Sequence, residues 1–226
     1  MRTRVKICGI TRIQDGLAAA RAGADAIGVV FWRGTPRHVD HRRAREIALA
    51  LPPFVKVVGL FVDPSDHEVE DALRDVPLDV LQFHGDEDAA FCRRFGRPYL
   101  KAIAVKRDVD LLECARQYDD AAGLLFDAHV DGDLPGGTGK SFDWMRLSDD
   151  VRNGLRRPIV LSGGLDPANV ARAIAAVKPW GVDVSSGVEE RDAEGRPRRG
   201  LKDPARIAAF MQGVRNADGG SSPERL

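Results

Sequence analysis

The 226-residue sequence predicts an α/β fold of the (βα)8 TIM-barrel class, built as a single domain, and three observations carry that expectation. Short runs of β-branched and apolar residues alternate with helix-period segments from one end to the other, the mark of βαβ units. The runs number eight, and several are apolar almost throughout, as strands covered on both faces must be. Reactive side chains fall at the carboxyl ends of four of these runs, where barrels of this kind build their sites. An open doubly wound sheet shares the alternation, but eight evenly spaced units favour closure.

In chain order, strands are expected at Val5–Cys8, Ala26–Val30, Val55–Phe61, Val80–Phe83, Tyr99–Ala104, Leu124–Asp127, Ile159–Leu161 and Gly181–Val184. The amphipathic stretches between them read as helices at Gln14–Ala22, Asp40–Leu51, Asp66–Arg74, Asp86–Arg94, Val109–Tyr118, Pro167–Val177 and Pro204–Gln212, with a weaker pattern at Phe142–Leu147. Asp63-Pro64, Asp166-Pro167 and Asp203-Pro204 each place a capping acid before a proline suited to the first helical position. Glu189 to Gly200, rich in charge and glycine, reads as an extended loop after the last strand. The barrel is expected to occupy residues 1–215, and residues 216–226 have the small, polar composition of a disordered tail.

Lys plus Arg equals Asp plus Glu at 34 each, so no global field draws the chain to nucleic acid or to anionic lipid. The N-terminal residues lack an apolar signal core, and no apolar run approaches the roughly 20 residues that cross a bilayer. A cytoplasmic protein is expected, with a phosphorylated small molecule as its partner; monomer and homodimer are not separated by the sequence. Cys8, Cys92 and Cys114 are an odd set without C-x-x-C spacing, unlike a disulfide framework or a structural zinc site. His38, His41, His67, His84 and His129 lack the spacing of a catalytic metal site, so no metal is expected. His38 and His41 read as exposed around a helix start, whereas His84 follows a strand and can line a pocket.

Alternation along the first strand puts Lys6 and Cys8 on one face, pointing into the barrel. A nearby ammonium favours thiolate and can bring a cysteine towards neutrality, where it serves as a base; the alternative is an inert cysteine packed as a small hydrophobe. Asp127 ends an otherwise apolar strand, Gly123-Leu-Leu-Phe-Asp, where burial without a partner would hold a proton on the carboxyl for delivery as an acid. A carboxylate capping the following loop is the other reading of that position. Asp183 lies on the eighth strand, and Arg37, in Thr35-Pro-Arg-His, lies in a loop from which a guanidinium can fork onto a ligand carboxylate or simply stay solvated.

Leu161-Ser-Gly-Gly-Leu and Val184-Ser-Ser-Gly-Val follow the seventh and eighth strands, where glycine-freed N–H groups beside a helix start make an anion site in this fold. Two tight turns would look the same. Gly136-Gly-Thr-Gly-Lys-Ser141 fails as a nucleotide P-loop because its first glycine would have to stand at Leu134; it reads equally as a βα loop able to fold over a ligand and as a plain flexible loop.

Together these segments resemble phosphoribosylanthranilate isomerase of tryptophan biosynthesis. The likeness is carried by Val5-Lys-Ile-Cys-Gly-Ile-Thr11, Thr35-Pro-Arg-His-Val39, Val80-Leu-Gln-Phe-His-Gly-Asp-Glu87, the strand ending at Asp127, Leu161-Ser-Gly-Gly-Leu-Asp-Pro-Ala-Asn169 and Gly181-Val-Asp-Val-Ser-Ser-Gly-Val-Glu189. The resemblance implies a cofactor-free barrel that converts N-(5-phosphoribosyl)anthranilate to 1-(2-carboxyphenylamino)-1-deoxyribulose 5-phosphate by an Amadori rearrangement. It implies Asp127 as the acid and Cys8 as the base, Arg37 on the anthranilate carboxylate, and Asp183 with His84 orienting the reacting part. Gly163, Gly164, Ser186 and Gly187 would cradle the phosphate. The stretch from Glu189 to Gly200 is longer than the family's usual link into Leu201-Lys-Asp203, and the tail also departs from the pattern.

A histidine-pathway barrel isomerase would pair two aspartates, but Cys8 stands at the first-strand position. A metal-dependent sugar-phosphate epimerase would want inward histidines on several strands. A non-catalytic phosphate-binding scaffold has no use for Cys8 and Asp127 at facing strand ends.

Overall fold

The computed structural model describes residues 2–105, 110–128, 144–147 and 149–219. Eight parallel strands close into a barrel: β1 (Arg4–Ile7), β2 (Ala26–Val30), β3 (Lys56–Phe61), β4 (Val80–Phe83), β5 (Tyr99–Val105), β6 (Gly123–Ala128), β7 (Ile159–Leu161) and β8 (Gly181–Val184). Closure comes from β8 pairing back onto β1, with Lys6 level with Asp183. The expected (βα)8 barrel is the fold, and each expected strand is present to within one residue at either end. Odd and even positions separate as the pleat requires. Val5, Ile7, Val182 and Val184 pack outward beneath the helices, while Ala102, Leu125 and Val160 form a separate apolar layer within the barrel.

Eight helices surround the sheet among the described residues: α1 (Ile13–Ala22), α2 (His41–Ala50), α3 (Asp66–Asp75), α4 (Ala89–Arg93), α5 (Leu111–Arg116), α6 (Asp149–Gly154), α7 (Val170–Val177) and α8 (Pro204–Gly219). Side-chain caps start several of them: Asp40 accepts from Arg43 N, Asp88 from Phe91 N, and Asp110 from Leu112 N. The start signal at Asp203-Pro204 holds, since Asp203 accepts from Ala205 N at 2.8 Å. The one at Asp63-Pro64 does not. Ser65 caps α3 in a reciprocal box with Glu68, while Asp63, at φ 45°, accepts instead from Asp86 N at 2.6 Å. At Asp166-Pro167 the carboxylate caps a turn through Ala168 N and Asn169 N, and the helix begins only at Val170.

Three stretches differ from expectation. Within 142–147, the described residues Trp144–Leu147 form a single 3-10 turn, and the α-helix follows at Asp149–Gly154, whose lone apolar residue Val151 leaves no periodic signal. The stretch read as an extended loop is an antiparallel hairpin, β9 (Glu189–Arg191) with β10 (Pro197–Lys202). Helix α8 runs through 216–219, residues assigned to a tail, because Asp218 is tied down by Thr3, whose N–H and hydroxyl reach it at 2.9 and 2.7 Å. Residues 220–226, His129 and the stretch Gly136–Ser141 lie outside the described residues. Among the described residues no helix is long and apolar enough to cross a membrane.

Candidate active site

The ends of β1, β4, β6 and β8 converge on one cavity at the carboxyl mouth of the barrel, and Cys8, His84, Asp127, Asp183 and Arg37 all line it. Cys8 lies one residue beyond β1, held in register by its N–H on Val184 O at 2.8 Å. Its side chain packs over β2 at Gly28, where a Cβ would stand 2.9 Å from Sγ, so only glycine lets the thiol sit there. Lys6 shares the interior face, as alternation requires, but its Nζ is paired with Asp183 Oδ1 at 2.9 Å and both groups are buried. Burial pushes the Cys8 thiol up; Lys6 opposes that and Asp183 adds to it. The expectation of a thiol drawn towards neutrality by Lys6 is thus corrected, because burial outweighs the attraction of an ammonium that Asp183 also neutralises.

Asp127 stands one residue before the end of β6 and lines the cavity, where His84 Nε2 lies 3.2 Å from its Oδ2. It therefore has a partner, against the expectation of burial without one. Gln82, fully buried two residues before His84, has its Nε2 at 3.0 Å from His84 Nδ1. An amide donating to Nδ1 leaves the imidazole proton on Nε2, aimed at Asp127. The turn after β4 is fixed from behind: Glu87 accepts from Asp63 N, Gly85 N and buried Lys101, and so sets where His84 leaves the strand. Gln82 was legible as a lone amide in an apolar strand, on His84's face; Lys101 and Glu87, far apart in sequence, carried no such signal.

Arg37 reaches the cavity, but its fork is already occupied. Nε and Nη2 bind Glu189 at 2.7 and 2.9 Å, and Glu189 also accepts from Gly200 N and Lys202 Nζ. Two cations around one carboxylate decide the electrostatics. Burial pushes Glu189 up, but Lys202 and Arg37 hold it below the usual carboxylate range, whereas burial and Arg37 lower Lys202. A ligand carboxylate would meet the remaining Nη1 edge, not the two-pronged face anticipated from the sequence. Glu189 and Lys202 were hidden in a segment whose composition reads as solvated charge. His38 and His41, expected to be exposed, are half-buried, and His41 Nδ1 lies 2.8 Å from Asp75.

A second cavity lies beside the first, walled by Gly164, Ser186 and Gly187 of the cradle expected from sequence; Gly163, at φ 84°, sets the preceding turn without lining it. The two loops touch. A Cβ on Gly187 would fall 1.9 Å from Leu165 O, so this close approach admits glycine alone. The N–H groups of Gly164, Ser186 and Gly187 have no partner among the described residues. Converging free donors of this kind suit an anion. Among the described residues no group of three or more His, Cys, Asp or Glu side chains is arranged to hold a metal ion.

Fold and site define the class: a (βα)8 barrel with one cavity lined by Cys8, His84, Asp127 and Asp183 and another walled by the glycine loops after β7 and β8. The sequence model of the family described as N-(5'phosphoribosyl)anthranilate (PRA) isomerase matches residues 5–213. The chain is 54% identical over 212 residues to the N-(5'-phosphoribosyl)anthranilate isomerase of Alcanivorax borkumensis, covering 94% of this chain and 95% of that protein. Among solved structures, phosphoribosyl anthranilate isomerase from Thermotoga maritima superposes with a TM-score of 0.83 at 36% identity, over 95% of this chain and 99% of that one. A phosphoribosyl anthranilate isomerase in complex with reduced 1-(o-carboxyphenylamino)-1-deoxyribulose 5-phosphate superposes at 0.80 with 36% identity, over the same shares of the two chains. The chain belongs to the N-(5'-phosphoribosyl)anthranilate isomerase family, and is an isomerase of tryptophan biosynthesis.

Proposed function

We propose that in the isomerisation of N-(5-phosphoribosyl)anthranilate, the family's reaction, Asp127 is the general acid and Cys8 the general base. The observation that carries this reading is that both line one cavity from β6 and β1, three strands apart around the closed barrel. Asp127 gives its proton to the furanose ring oxygen; the C1–O bond breaks and the nitrogen lone pair forms a C1=N iminium. Cys8, as thiolate, then removes the C2 proton, and those electrons give an enolamine. Transfer of the hydroxyl proton away and return of a proton to C1 give the ketone, so the reaction is an isomerisation with no external redox partner. His84 engages Oδ2 of Asp127, which leaves Oδ1 to deliver the proton. Asp183, held by Lys6, faces the same cavity and orients the sugar hydroxyls. Arg37, fixed by Glu189, presents its remaining edge to the anthranilate carboxylate. Gly164, Ser186 and Gly187 receive the phosphate, with Gly163 shaping the turn.

The unpaired thiols Cys8, Cys92 and Cys114 support a reducing, cytoplasmic setting. No cofactor is required by these steps. Loss of anthranilate fluorescence on mixing with freshly made substrate tests the assignment. Wild type is expected to quench the signal rapidly, and Cys8→Ala and Asp127→Asn to fall by roughly 100- to 10,000-fold. Wild-type-like turnover in either variant removes that residue from its role.

A further inference from the structure

The β9–β10 hairpin does more than connect β8 to α8. It carries Arg191 to the cavity of about 220 Å³ whose walls include Gly164, Asp166, Ser186 and Gly187. Arg191 is paired in register with Pro197, which lines the same cavity from β10. Its Nη1 donates to Gly195 O at 3.1 Å, which ties the guanidinium to the hairpin turn, while Nε and Nη2 have no partner among the described residues. Three other cations nearby are committed: Arg196 to Asp192 and Glu194, Arg198 to Glu190, and Arg206 to Gly187 O.

Charge in the cavity calls for such a group. Asp166 brings a carboxylate to the wall, and although it accepts from Ala168 N and Asn169 N, its charge opposes a bound dianion. Backbone N–H groups supply dipoles but no net charge. A guanidinium across from them offsets Asp166 and can offer two N–H groups to phosphate oxygens.

We propose that Arg191 is a ligand of the substrate phosphate, contributed by the extended hairpin, and that it sets the affinity for phosphorylated over unphosphorylated ligands. The proposal rests on the phosphate reading of the glycine cradle. Exposure of Arg191 keeps the contact modest and salt-sensitive.

The test is equilibrium binding of reduced 1-(2-carboxyphenylamino)-1-deoxyribulose 5-phosphate and of its dephosphorylated form to wild type, Arg191→Ala, Arg191→Lys and Arg198→Ala. Arg191→Ala is expected to weaken the phosphorylated ligand about tenfold and the dephosphorylated one not at all. Arg191→Lys should recover much of the loss, and Arg198→Ala, which removes the same charge from the same hairpin, should behave as wild type. Equal weakening of both ligands by Arg191→Ala would show that Arg191 only organises the hairpin, and no weakening of either would show that it does not reach the phosphate; each overturns the proposal. If wild type itself binds both forms alike, the cradle reading falls and Arg191 with it.

Discussion

Cys8 combines a demanding role with an unfavourable environment. It must be a thiolate to act as a base, yet burial pushes its thiol up and Asp183 adds to that, with Lys6 as the main opposing charge. The sign of the pH dependence follows. The thiolate fraction grows as pH rises through the raised pKa, so alkylation of Cys8 by iodoacetamide should speed up on the alkaline side. Lys6→Met removes the opposing attraction and should move that climb to higher pH, read from the alkylation rates of Cys8 in the two proteins, followed by mass spectrometry. An unmoved profile would show that Asp183 screens Lys6 from Cys8 completely. Lys6 and Cys8 were legible as a pair from alternation alone. Their coupling to Asp183 was not, because the partner stands on β8, brought alongside β1 only by barrel closure.

Among the elements, the hairpin departs furthest from its sequence reading and has the clearest physical cause. Its two ends are not part of a solvated run: Glu189 and Lys202 are fully buried and paired, and Glu189 holds Arg37 between the loop before α2 and the barrel mouth. Glu189→Gln leaves two buried cations facing a neutral amide, so a loss of about 3–5 kcal/mol and a fall in Tm are expected in thermal melts. The same variant should raise KM, because Arg37 loses its anchor. The Glu189 carboxyl is held below its ordinary value, so its contribution to stability is present above the unfolded pKa and is lost as pH falls through the folded one. Wild-type Tm should accordingly drop on the acid side of the ordinary carboxyl range, and the corresponding part of that drop should be missing in Glu189→Gln. A parallel acid profile in the two proteins would refute the linkage.

At the scale of the molecule, closure is a matter of joining ends. Strand β8 returns to β1, and α8 seals the same seam when Asp218 takes both the N–H and the hydroxyl of Thr3. Asp218→Ala leaves those donors without their anionic acceptor and should cost about 1–3 kcal/mol. In a protein of this length that corresponds to a Tm lower by about 2–4 °C for each kcal/mol. Cleavage of the chain after Arg215 should reproduce the loss, and an unchanged melt would show that the seam is held by the apolar face of α8 alone, through Ile207, Phe210 and Met211.

The sequence by itself determined the barrel, since eight apolar runs at even spacing admit few other closed arrangements, and period-2 alternation assigned Lys6 and Cys8 to the interior while Asp127 and Asp183 stood at the carboxyl ends of their strands. It also marked the glycine loops and the thiol–acid pair, because those are local patterns. Tertiary structure decided what each of these groups meets. Asp183 on Lys6, His84 on Asp127, Glu189 on Arg37 and Asp218 on Thr3 join residues from different elements, and the periodicity of one segment says nothing about the charge that another will bring beside it. Protonation follows those partners and their burial, so the sequence named reactive residues whose ionisation only the folded barrel sets.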